Sequence, residues 1–225
     1  MAMALLVSGT LLAQESKAIK SEPKSFIAFH AGPSFPVADF SSTDFENNPD
    51  AGFAKTGINL NLTYGYQFQK NLALVGNLLF NQNKIDKGGI TYKDGTSEQE
   101  IVLKMDHWQF YGVAAGPVIT LPVGNKVYAN FKVMIGAVNA NAPQISYQGV
   151  ELTKESWNVA PLYQGGVGLR MDAGKNMFIM AGADYMYLKP TFLYTFTGAA
   201  FEGVPTDFKQ KMSVLNVTAG VGFKF

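Results

Sequence analysis

Beyond its first two dozen residues, the chain runs almost throughout in a two-residue period. Between Thr56 and Phe68, Ile58, Leu60, Leu62, Tyr64, Tyr66 and Phe68 alternate with Asn59, Asn61, Thr63, Gly65 and Gln67. Successive strand side chains point to opposite faces, so this sets an unbroken apolar face against a small, polar one. The chain's last residues repeat the pattern. Leu215, Val217, Ala219, Val221, Phe223 and Phe225 oppose Asn216, Thr218, Gly220, Gly222 and Lys224.

The same reading predicts eight strands, at 25–37, 56–68, 72–82, 107–121, 126–138, 157–171, 176–188 and 212–225. The third is blurred: Leu72, Leu74, Leu78 and Phe80 fall on one face, but Val75 and Leu79 fall on the other. The connections alternate in length. Tight turns are expected at 69–71, 122–125 and 172–175, with Gly-Asn and Ala-Gly as turn residues, and long polar loops at 38–55, 83–106, 139–156 and 189–211. Short turns at one end and long loops at the other define an all-β, eight-stranded antiparallel up-and-down barrel. An even strand count returns both termini to the turn side, which in a bacterial outer membrane is the periplasm.

Charge placement separates a membrane barrel from a soluble one such as a lipocalin. Charged residues make up 16% of the chain, against about 25% in soluble domains. Within the strand bodies only Lys132, Arg170, Asp184 and Lys224 are charged, all on the Gly/Asn/Thr face. A soluble barrel would place Lys and Glu on its solvent-facing positions. The apolar face suits lipid, the small face suits a narrow lumen, and strand-end aromatics suit interfacial girdles. Those aromatics are Tyr64, Tyr66, Phe68, Phe223 and Phe225 at the turn end, with Trp108, Trp157 and Tyr187 at the loop end.

The net charge of +1 offers no basic patch for nucleic acid, and the lack of cysteine removes disulfides and thiolate metal sites. The apolar run from Ala2 to Ala13 is too short to span a bilayer and reads as a signal peptide, 1–13, although no Lys or Arg precedes it. A periplasmic linker, 14–24, and a barrel domain, 25–225, follow.

Three stretches carry a family resemblance: residues 30–40 (HAGPSFPVADF), residues 57–68 (GINLNLTYGYQF) followed by Lys70, Asn71 and Leu72, and the ending 217–225 (VTAGVGFKF). Together they resemble the small outer-membrane β-barrel proteins widespread in Bacteroidetes, similar in architecture to the OmpA transmembrane domain and OmpX. The resemblance spans 25–225. It implies an integral outer-membrane protein in contact with lipid. It also implies that the aromatic ending, with Val217, Val221, Phe223 and Phe225, resembles the signal read by the barrel-assembly machinery.

Catalysis would need a nucleophile, a base and an orienting group within reach. The only histidines are His30, four residues from Ser34 on one face, and His107, beside Asp106 and Trp108. Neither pattern points to chemistry; a membrane-embedded lipid hydrolase is the least favoured alternative, and no cofactor or metal is expected. Lys132 and Asp184 fall at comparable heights on strands five and seven, with Gly166 and Gly168 inward between them, which predicts an ion pair. Arg170 and Lys224 lie nearer the turn-end rim. An eight-stranded barrel is just wide enough for side chains to fill. The expectation is therefore a plugged lumen and a structural or surface-interaction role, with a small-solute channel as the alternative. A ligand would meet the long loops, where Phe40, Phe45, Phe53, Phe192, Tyr194, Phe196 and Phe201 are expected to extend the strands above the membrane.

Overall fold

A computed structural model describes residues 24–44, 47–86, 91–93, 100–102, 104–147, 150–151, 156–195 and 205–225. Eight strands close into one antiparallel barrel: β1 (Ser25–Pro36), β2 (Ala54–Gln69), β3 (Leu72–Ile85), β4 (Trp108–Gly124), β5 (Val127–Ala142), β6 (Ser156–Asp172), β7 (Met177–Leu188) and β8 (Met212–Lys224). Each strand pairs with its sequence neighbours, and β1 pairs with β8 to complete the ring. Closure leaves no unpaired edge, the condition for crossing a bilayer with strands. Backbone bonds between Ser25 and Phe225, at 3.1 and 2.9 Å, extend the seam to the chain's last residue.

The alternation decides which way each side chain points. Outward positions such as Phe29, Leu62, Leu78, Val133, Val167 and Val221 are exposed, while the inward-pointing His30, Thr63, Leu79, Met134 and Asp184 are buried. In β3, Ala73, Val75, Asn77, Leu79, Asn81 and Asn83 all point inward. The strand is regular; it reads as blurred only because its lumen face carries apolar residues.

Several strands run past their expected ends. β2 starts at Ala54, β3 continues to Ile85 and β5 to Ala142, because ladder pairing such as Gly57↔Asn83 and Trp157↔Asn141 continues into polar segments that the hydrophobic period does not mark. β4 runs to Gly124, which shortens the next turn to Asn125 and Lys126. There the left-handed residue is Lys126 (φ 62°), and Gly124 belongs to the strand. The turn after β6 does use a glycine, Gly174, at φ 126°.

The loops also hold structure. Thr191–Thr195 pairs with Pro205–Lys209 as a ribbon beyond β7 and β8, and Thr91–Lys93 pairs with Glu100–Val102. Residues 1–23, which include the expected signal peptide and nearly all of the linker, lie outside the described residues, as do Phe45, Phe196, Phe201 and the Tyr194 side chain.

Candidate functional site

The lumen is built in layers, and its two sides differ. On β1–β3 it presents amides and hydroxyls. His30 Nε2 lies 3.0 Å from Thr63 Oγ1, which donates to Asn77; Asn77 Nδ2 donates to Asn61 (3.4 Å), and Asn61 to Asn59. The chain continues from Asn59 to Asn81 (3.2 Å), and from Asn81 to Ser34 (3.1 Å) and Asn83 (2.6 Å). Buried amides are tolerable because they bond one another; an unsatisfied one costs about 1–3 kcal/mol. In the sequence Asn77 and Asn81 were legible only as polar residues of a blurred strand, and Asn83 only as the first residue of the expected loop.

On β4–β8 the loop-end half of the lumen is apolar but for the buried Gln164 and Asn216 at its lower edge. Phe110, Val138, Leu162, Met186, Leu188 and Val214 are buried there in one continuous core. This corrects the expectation of a polar lumen all round. Toward the turn end the face is mixed, with Thr120, Asn130, Gly168 and Gly182 beside Ala28, Ala73, Val75 and Val118.

The first loop caps this core. After a 3-10 turn at Ala38–Ser41 it folds back across the mouth, burying Phe40 completely and Phe53 nearly so. Trp108, expected in the outer aromatic girdle, points inward at 3% exposure. It packs edge-on against Phe40, meets Phe192 at 6.1 Å and donates Nε1–H to Gly52 O at 2.8 Å. Phe40 and Phe53 therefore seal the barrel rather than extend it, since burial in the core removes more apolar surface from water than a raised strand could. Phe192 lies on the ribbon beyond β7 and turns its ring into the same core. Trp157 does lie outside, against Tyr111.

Lys211 pins the cap. Its Nζ lies 3.1 Å from Asp39 Oδ2 and 2.7 Å from Asp50 Oδ2, both in the first loop. Hydrogen bonds donated to Asp50 and then Asp39 raise the Lys211 pKa, and the bond from Lys211 lowers that of Asp39. The buried Gln210 next to it donates to Asp50 O at 2.8 Å.

Below the core, Lys132 Nζ lies 2.9 Å from Asp184 Oδ1 across β6. Nearer the turns, Asp172 receives Lys224 Nζ at 2.6 Å and faces Arg170 Nε at 3.5 Å. The four charged strand residues thus form two groups, and Asp172, expected in a turn, joins Arg170 to Lys224. Phe26 and Phe178 meet edge-on at 5.8 Å on this level, over the bare backbone of Gly65 and Gly222, where any Cβ would collide with their rings.

His30 is held between Thr63 and Thr218, and Ser34 bonds Asn81 and Asn83, so the two engage different partners. His107 is exposed at the loop end. Among the described residues no cluster of metal-ligating side chains occurs. Val217, Val221, Phe223 and Phe225 all face outward and exposed along the closing seam.

Residues 3–225 match the model of the outer membrane protein beta-barrel domain. The chain belongs to that family. Membership assigns it to the outer membrane as an integral β-barrel, and the closed eight-stranded ring is the family's architecture. Solved structures of similar fold include Neisserial surface protein A (14% identity, covering 89% of this chain and 97% of that one, TM-score 0.50). They also include OprG from Pseudomonas aeruginosa (13%, 91% and 97%, TM-score 0.50) and a major outer membrane protein from Thermus thermophilus (11%, 89% and 99%, TM-score 0.55). A comparison with curated protein sequences found no match. At such identities the likeness is one of fold.

Proposed function

We propose that this outer-membrane barrel serves a structural or surface-interaction role, with its loops outside the cell and both termini in the periplasm, and that it is neither a catalyst nor a constitutive pore. One observation carries the reading: the loop-end half of the lumen is filled by side chains and closed by the first loop through Phe40, Phe53 and Trp108. A permeant solute would have to displace a packed core. The exposed apolar belt contacts lipid, the outward Val217, Val221, Phe223 and Phe225 address the chain to the barrel-assembly machinery, and any specific partner meets the loops.

Single-channel recording of the refolded protein in planar bilayers tests the closed lumen. The expected trace has no stable open state; a sizeable, persistent conductance overturns the reading in favour of a small-solute channel. That alternative draws on a cavity in the turn-end half of the lumen. A lipid hydrolase has no observation in its favour.

A further inference from the structure

Beneath the Lys132–Asp184 pair the lumen holds a cavity of about 70 Å³. It exists because two facing positions lack side chains: Gly168 on β6 and Gly182 on β7 are register partners, and both line it. Ala28, Ala73, Val75, Val118 and Met134 supply its apolar wall, and Thr120 and Asn130, 2.8 Å apart, a polar edge. Gln67 and Leu72, which flank the β2–β3 turn, line it as well, so it reaches the turn end.

Arg170, the only arginine of the chain, faces this space. Its guanidinium rests on the rings of Tyr128 (4.7 Å) and Phe178 (5.4 Å). The neighbouring Asp172 is taken by Lys224 at 2.6 Å, and Arg170 Nε, at 3.5 Å from the other carboxylate oxygen, has no hydrogen-bond partner. The one carboxylate that lines the cavity, Asp184, is held by Lys132. Two cations, Lys132 and Arg170, against the single carboxylate of Asp184 leave one net positive charge on the lining. A guanidinium is a planar fork whose donors match a carboxylate, and its neighbours leave this one under-satisfied.

We propose that this cavity binds a short-chain monocarboxylate, with the carboxylate on Arg170 and the hydrocarbon tail against Val75, Val118 and Met134. At about 10–15 Å³ per water-sized group, the volume of about 70 Å³ admits roughly five to seven such groups, a range that takes in the non-hydrogen atoms of butyrate. The mixed lining favours a molecule with one charged end over a simple anion. The site goes beyond the structural role proposed above and does not depend on whether the barrel conducts.

The test titrates the full chain, refolded in detergent, with sodium butyrate, using saturation-transfer NMR on the butyrate methyl protons. Butyramide serves as the neutral isostere and chloride as a simple anion. Saturable butyrate binding is expected, with butyramide weaker by roughly tenfold or more. Arg170→Gln should abolish binding. Ala73→Leu, which fills the cavity and leaves every charge in place, should abolish it too. Heat-modifiable gel migration checks that each variant folds; if Arg170→Gln does not, Ala73→Leu and the butyramide comparison still decide. The proposal is overturned if no saturable binding is found, if butyramide binds equally well, if chloride at equal concentration displaces butyrate, or if either variant, when folded, binds as the wild type does.

Discussion

The Asp184 carboxylate occupies the space that a side chain at Gly166 would need: a Cβ built on Gly166 would stand 1.8 Å from Asp184 Oδ1. Lys132 and Asp184 are on β5 and β7, and only a bare β6 backbone between them lets them approach to 2.9 Å. Gly166→Ala should therefore displace the carboxylate and lower stability by about 1–3 kcal/mol, the usual cost of overpacking. Asp184→Asn should cost roughly 2 kcal/mol. That is below the 3–5 kcal/mol of a fully buried broken pair, because Lys132 borders a cavity with room for water. Reversible urea unfolding in lipid vesicles measures both, and unchanged midpoints would refute the coupling.

The amide ladder makes a separate prediction. Asn81 accepts from Asn59 and donates to Ser34 and Asn83, so Asn81→Ala strands several buried polar groups at once. A loss of about 1–3 kcal/mol is expected in the same unfolding assay. A neutral result would mean that water replaces the amide at no cost.

The outer surface is tested at Val133, near the middle of β5 and 66% exposed. Val133→Arg should destabilise the folded barrel by about 2–4 kcal/mol in a bilayer, the cost of a cation at the midplane. In a detergent micelle, where the side chain reaches water, the penalty should shrink. Equal stability in vesicles would argue that this face does not meet hydrocarbon.

The cap should respond to acid. The folded-state pKa of Asp39 is depressed below its ordinary 3.8, so its contribution is present above that value and lost as pH falls through the lower, folded one. Lys211 is raised above its ordinary 10.5, so its contribution is present below that pH and lost only as pH rises through the still higher folded value. Cap closure should therefore be constant across neutral pH and weaken below about pH 4. In Trp157→Phe, Trp108 remains as the sole tryptophan and reports the cap directly. Its emission should shift red on acidification, and Lys211→Met should bring the shift to a higher pH. An emission maximum that stays constant down to the pH of global unfolding would refute the pin.

Much of the architecture was legible because a membrane barrel writes its fold into local sequence. A strand with lipid on one face and a lumen on the other must alternate, and Ile58 to Phe68 and Leu215 to Phe225 do so without interruption. The strand count, the short-turn and long-loop ends, and the outward set from Phe29 to Phe223 followed from that period alone. So did the heights of Lys132 and Asp184, since register in a closed antiparallel ring is set by turn length. What the period could not carry is what happens where chain segments far apart meet. Trp108 and Phe40 look like rim aromatics in sequence. Their burial depends on the first loop folding back over the mouth, a contact between residues that no local pattern relates. The split of the lumen into an amide half and an apolar half is of the same kind. Asn81, Phe110 and Met186 all occupy inward positions, and only closure of the ring decides which neighbours each one finds. Alternation dictated the face of nearly every strand residue, with Trp108 at the rim the exception, and closing the ring under the folded-back first loop dictated what each face touches, because alternation is a property of one strand and packing a property of eight.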